Sequence, residues 1–195
     1  MIGESPSSDA ALAARAAGGD ERAFATLVTR YKAGLYRFAR RYVGNADDAY
    51  DIVQQSFVAA WVALGRYDPS RPFGPWLHAI TLNKCRDHER REKVRRVFLI
   101  AQWAAGAEQV ADPTASAEER WIAEAGLSAL DRAVAALPRA LKEPLILTAF
   151  EGLSQAETGD RLGITPKAVE TRVARARRKL LKALEATGSD GETVW

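Results

Sequence analysis

The chain has 195 residues, 47% hydrophobic and 27% charged, a balance that fits a folded protein and excludes a disordered one. No apolar run approaches the roughly 18 residues that cross a bilayer, so direct membrane insertion is not expected. Residues 1–20 lack the basic start and apolar centre of a secretory leader, and the single cysteine, Cys85, allows no internal disulfide, so a cytoplasmic protein is expected.

Net charge is +3, and its distribution says more than its size. Residues 1–95 carry net +4, residues 96–126 net −3 and residues 127–195 net +2. Two basic blocks flanking an acidic connector suggest two DNA-facing modules on one chain.

The elements read as helices in chain order. Phe24, Leu27, Val28, Tyr31, Leu35, Phe38 and Tyr42 recur at spacings of three and four, which predicts a helix ending at Gly44-Asn45. A second helix opens on the acidic turn Asp47-Asp48 and runs to about Leu64, with Ile52, Val53, Phe57, Ala60 and Trp61 on its apolar face. Glycine and proline make Gly65–Pro75 a loop, and a long helix follows from Pro75 or Trp76 to about Arg96. Ala-rich fragments then give way to a linker-like stretch around Asp112-Pro113. Helical patterning resumes at Leu127 and ends near Ala186, before a tail with two glycines. No strand alternation occurs, so the fold is expected to be all-α.

The sharpest local signal lies between Ser154 and Lys182. Ser154-Gln155-Ala156-Glu157 is a capping box, in which serine and glutamate satisfy each other's backbone N–H. That helix ends at Leu162-Gly163, and Thr165-Pro166 opens the next with a side-chain cap and a proline in the first helical position. Two helices joined by a tight glycine turn make a helix-turn-helix. Gly159 falls where the helices must approach closely, and Gly163 falls where the turn needs positive φ. Ile164, Val169, Val173, Ala176 and Leu180 give the second helix a buried face. Lys167, Glu170, Thr171, Arg175 and Arg178 lie opposite, with Arg172 near the boundary. Thr165–Lys182 holds seven Lys or Arg residues and one acid, a helix suited to the major groove.

Enzyme chemistry finds no support in the sequence. His78, Cys85 and His88 fall seven and three residues apart, but a structural zinc site needs four close ligands, so no metal is expected. There is no Gly-rich phosphate loop, no paired-carboxylate arrangement and no nucleophile motif. No cofactor and no small-molecule substrate are expected.

The first half decides among DNA-binding classes. Asp48-Ala49-Tyr50-Asp51-Ile52-Val53-Gln54-Gln55-Ser56-Phe57 with Ala60-Trp61, Phe73-Gly74-Pro75-Trp76-Leu77, Ile80, Asn83, Asp87 and Arg90-Arg91 stand in order. Leu137-Pro138, Glu151-Gly152-Leu153-Ser154, Leu162-Gly163-Ile164 and Arg175-Ala176-Arg177-Arg178 follow. Through these words the chain resembles the extracytoplasmic-function (ECF) subfamily of the sigma-70 family of bacterial RNA polymerase sigma factors, over roughly residues 20–183.

The resemblance implies two small helical domains, a region 2 bundle and a region 4 helix-turn-helix, joined by a flexible linker. Expected boundaries are an N-terminal extension over 1–19, region 2 over 20–96, linker over 97–125, region 4 over 126–186 and a flexible tail over 187–195. It also implies that Asp51, Gln54 and Gln55 meet the coiled-coil clamp of the largest catalytic polymerase subunit. The family usually carries acids where this chain has Tyr50 and Gln55, so the contact is less acidic here. Solvation of a surface helix is the plainer reading of these three residues.

Tyr67, Arg71, Phe73, Trp76, Asn83, Lys84 and Arg86 would read the −10 element as unstacked bases. Arg90 and Arg91, with Arg95 and Arg96, would hold phosphates. Phe73 and Trp76 also read as core residues that fix the loop. The −35 element would meet Thr165, Lys167, Glu170, Thr171, Arg172, Arg175 and Arg178. The acidic connector resembles the segment that threads toward the polymerase active-site cleft, although a solvated linker fits it too. Expected partners are core RNA polymerase, promoter DNA and an anti-sigma factor. A stand-alone helix-turn-helix regulator, and a sigma-like decoy that binds only an anti-sigma protein, are the competing readings.

Overall fold

The computed structural model describes residues 8–104 and 129–189, and all regular structure among them is helical. The chain divides into two compact units, one of residues 1–39 and 47–112, the other of residues 40–46 and 113–195.

The first unit begins with helix α1, Asp9–Ala17, inside the stretch expected to be an N-terminal extension. Ser8 caps it by accepting from the Ala11 amide at 3.2 Å, and Leu12, Ala13 and Ala16 are buried. Asp9 holds both Arg30 and Tyr31 of the next helix, α2 (Glu21–Val43). Asp20 shapes the corner between them. One carboxylate oxygen accepts from the Ala23 amide at 3.0 Å and the other from Arg15 at 2.7 Å. These hydrogen bonds hold its carboxyl below the usual range.

Helix α3, Ala46–Ala63, buries Ala49, Ile52, Val53, Ser56, Phe57 and Ala60 along one stripe and passes into a 3₁₀ turn, Leu64–Arg66. Trp61 stays partly exposed, with its ring edge-on to Phe24 at 4.9 Å. Helix α4 spans Phe73–Ala104, longer at both ends than the sequence predicts. Pro75 sits in its first turn, where a missing N–H costs nothing. At the other end, Val97–Ala104 contains neither glycine nor proline, so nothing local stops the helix at Arg96. The rest of the expected linker, residues 105–125, lies outside the described residues.

The second unit contains α5 (Ala129–Ala135), α6 (Arg139–Ala149), α7 (Gln155–Leu162) and α8 (Pro166–Ser189). Helix α8 packs against the other three, around Val134, Leu137, Leu145, Ile146, Leu147, Val169, Ala176 and Leu180. Helix α8 ends three residues later than expected, and the remaining tail, residues 190–195, is outside the described residues.

Candidate nucleic-acid interface

The helix-turn-helix of α7 and α8 is built as its sequence dictates. The Ser154 hydroxyl accepts from the Glu157 amide at 3.2 Å, while the Glu157 carboxylate accepts from the Ser154 amide at 2.8 Å. Gly163 ends α7 with φ +66°, in the left-handed region. A side chain on Gly159 would place its Cβ 2.6 Å from the Ile164 carbonyl oxygen, so the turn backbone occupies that space. The Thr165 hydroxyl then caps α8 by accepting from the Ala168 amide at 3.2 Å.

This framework fixes what α8 presents. Val169, Ala176 and Leu180 face inward, and Lys167, Glu170, Thr171, Arg175 and Arg178 are exposed, with Arg172 half-buried. The N-terminal end of that surface is internally paired. Lys167 Nζ donates to Glu170 Oε2 at 2.8 Å, and Thr171 Oγ1 donates to the Lys167 carbonyl at 2.9 Å. Farther along, Arg175 and Arg178 have no carboxylate partner among the described residues. The surface thus runs from a self-neutralised pair at the helix start to uncompensated cations beyond.

In the first unit the aromatic residues assigned to base stacking separate into two groups. Tyr67 is 8% exposed and Phe73 2% exposed. Their rings meet edge-on at 5.4 Å, Tyr31 packs on Phe73 at 5.6 Å, and the Tyr67 hydroxyl donates to the Arg71 carbonyl. Both rings are buried in the cluster that fixes the loop, which agrees with the alternative reading of Phe73 as a core residue. Trp76 closes the cluster at 5.1 Å from Tyr67 and 5.3 Å from Phe73, yet it keeps exposed surface at the start of α4.

Helical spacing carries that surface onward. Trp76, Asn83, Asp87 and Arg90 fall on one face of α4, with Arg86 beside it. Arg86 donates to Asn83 Oδ1 at 3.4 Å, Arg90 to Asp87 Oδ1 at 3.1 Å and Arg91 to the Asp87 carbonyl at 3.3 Å. Lys84 is half-buried, and Arg71 is exposed in the loop beside Asp68 at 3.4 Å. These contacts turn the three arginines back onto the preceding turn of the helix.

A third surface lies on α3. Asp51, Gln54 and Gln55 are all exposed, directly opposite the buried stripe. Val58 and Val62 continue the same face, 65% and 71% exposed, and the sequence reading did not single them out. The signal was available, because 51, 54, 55, 58 and 62 follow helical spacing, but two valines in an apolar-rich helix read as core. Near its N-terminus, Asp48 approaches His88 at 3.5 Å, and burial pushes the Asp48 carboxyl up while His88 acts in the opposite sense.

His78, Cys85 and His88 do not converge. Cys85 is fully buried, His78 lies edge-on to Phe38 at 5.5 Å, and His88 turns to Asp48. Among the described residues no helix is long and apolar enough to cross a membrane.

Comparison with known proteins agrees with this layout. Residues 27–95 match Sigma-70 region 2, and residues 127–180 match Sigma-70, region 4. The RNA polymerase sigma factor NccH of Alcaligenes xylosoxydans is 42% identical over 182 residues, covering 93% of this chain and 97% of NccH. CnrH of Cupriavidus metallidurans is 40% identical, over 91% of this chain and 95% of its own. The ECF RNA polymerase sigma factor SigW of Bacillus subtilis is 31% identical, over 85% and 91%. The solved structure of CnrH in complex with the cytosolic domain of CnrY superposes with a TM-score of 0.64 at 37% identity, covering 91% of this chain and 97% of that one. Sequence motifs, helical architecture and relatives converge, and the chain belongs to the ECF subfamily of sigma-70 RNA polymerase sigma factors.

Proposed function

We propose that this protein directs promoter-specific transcription initiation by binding core RNA polymerase through the α3 face and reading two promoter elements with α4 and α8. The observation that carries the reading is the exposed face of α8, where a capped helix presents side chains suited to base edges and then uncompensated arginines. Phosphate contacts set affinity and register, whereas base-edge contacts set sequence. Arg175 and Arg178 take the first role at the −35 element, and Lys167, Glu170 and Thr171, with Thr165 and Arg172 at its margins, take the second.

At the −10 element, Tyr67 and Phe73 act by positioning. They hold the loop so that Trp76, Arg71, Asn83, Lys84 and Arg86 meet the unstacked strand, with Arg90 and Arg91 on its phosphates. Asp51, Gln54 and Gln55 contact the polymerase clamp, and Val58 and Val62 extend that contact with apolar area. The polymerase supplies the chemistry and this chain supplies recognition, so it acts in the cytoplasm without a cofactor or catalytic residue. An anti-sigma protein is the expected regulator, as CnrH is solved in complex with the cytosolic domain of CnrY.

The test is run-off transcription by purified core polymerase on a pool of genomic fragments, with and without the protein. Transcripts that require it, starting downstream of two spaced elements, are expected. Duplex binding without dependent transcription would mark a stand-alone regulator instead.

A further inference from the structure

Helix α4 carries its outward face past the residues assigned to the −10 element. Asn83, Asp87, Arg90, Val94 and Val97 follow one another at spacings of four and three, and Phe98 lies four beyond Val94. All six therefore share one side of the helix with Trp76. The end of this stripe changes character. Val94, Val97 and Phe98 are between 62% and 67% exposed, three large apolar side chains within two turns. Val97 and Phe98 also lie beyond residues 27–95, the stretch that matches Sigma-70 region 2.

The surroundings select the occupant. Residues 90–98 hold Arg90, Arg91, Lys93, Arg95 and Arg96 against one acid, Glu92. Glu92 falls on the opposite side of the helix from the stripe and approaches Arg95 at 3.4 Å. The carboxylate on the stripe itself, Asp87, is held by Arg90 at 3.1 Å. An apolar strip bordered by cations suits a polyanion that shows apolar groups between its charges. Duplex DNA does so in its major groove, where thymine methyls stand between the two phosphate chains. A protein surface could meet the same strip, but the strip continues a face already assigned to DNA. From Trp76 to Phe98 that face measures about 33 Å, close to the 34 Å or so of one duplex turn. Its Trp76 end meets the unstacked strand, so its far end extends onto paired DNA. The chain leaves α4 at that far end toward the residues that take the −35 element, which sets the paired DNA upstream.

We propose that Val94, Val97 and Phe98 contact the base pairs immediately upstream of the −10 element and read thymine methyls in the major groove. The inference rests on the reading of α4 as the −10 helix. It adds a preference for thymine between the two promoter elements, which the polar residues of α4 do not supply.

The full-length protein carrying a photo-crosslinking benzophenone in place of Phe98, assembled with core polymerase on a promoter that it activates, tests the contact directly. Cross-links to the base pairs just upstream of the −10 element are expected. Replacing one contacted thymine by deoxyuridine removes its methyl and should lower initiation by the parent about fourfold. In the V94A/V97A/F98A variant the same replacement should have no effect, while affinity for core polymerase stays at the parent value. All three side chains are exposed, so the variant keeps its packing. Cross-links to a polymerase subunit, or a loss of core affinity in the variant, would overturn the proposal and make the strip a protein contact. A parent indifferent to deoxyuridine at every upstream position would overturn it too, and in both cases protein-dependent initiation would leave the sigma reading standing. Absence of dependent initiation from any fragment would instead sink that reading, and the proposal with it.

Discussion

Thr158 and Glu157 are neighbours in α7 with opposite polar fates. Thr158 is fully buried, and its hydroxyl has no hydrogen-bond partner among the described residues. A buried hydroxyl without a partner costs about 1–3 kcal/mol, so Thr158→Val, which keeps the shape, should stabilise the second unit by about 1 kcal/mol. Slower hydrogen exchange in α7 and α8 is the readout, and faster exchange would show that the hydroxyl is satisfied in solution. Glu157 is exposed, and hydrogen bonds from the Ser154 side chain and amide hold its carboxyl below the ordinary 4.5. A lowered folded value means that the cap contributes fully above the unfolded value and is lost as pH falls through the folded one. An NMR titration should therefore place the Glu157 midpoint below 4.5, and Ser154→Ala should move it back up. An unmoved midpoint would assign the shift to another cause.

At the scale of elements, α8 and α3 each present one face to the fold and another outward, and the outward faces differ in kind. Helix α8 presents cations beyond its first turns. Charge reversal at Arg175 or Arg178 should weaken promoter binding across all sequences and lower the salt slope by about 1 for each phosphate left unneutralised. Filter binding over a salt series measures this, and a full slope would remove the residue from the backbone contacts. Helix α3 instead shows apolar area beside amides and one acid. Val58→Asp should reduce affinity for core polymerase on the order of tenfold, reflecting about 1.5 kcal/mol of forgone apolar burial, with fold stability within about 0.5 kcal/mol. Equal affinity would confine the polymerase contact to Asp51, Gln54 and Gln55.

Across the whole molecule, legibility followed the range of the interactions involved. The capping box, Gly163 and the Thr165-Pro166 start act within a few residues, so the helix-turn-helix could be read from its letters, and so could the outward set on α8. The packing of α1 could not, because it depends on Asp9 reaching Arg30 and Tyr31 across the chain. The same limit applies to the loop before α4. Tyr67 and Phe73 have the composition of a base-stacking platform; the sequence offered a core reading for Phe73 but none for Tyr67, whose burial depends on the rings packed around it. The exposed valines of α3 were hidden for the converse reason, since apolar residues at helical spacing suggest a core until a neighbour is found missing.

The ion pair between Lys167 and Glu170 has an evolutionary consequence. A lone change at either residue leaves the other without its partner at the edge where bases are read, so drift in promoter preference should proceed by joint replacement. The two positions then form one heritable unit of specificity. In a promoter library, the combined K167E/E170K exchange should depart from the sum of the single changes, and simple additivity would show that each position evolves alone.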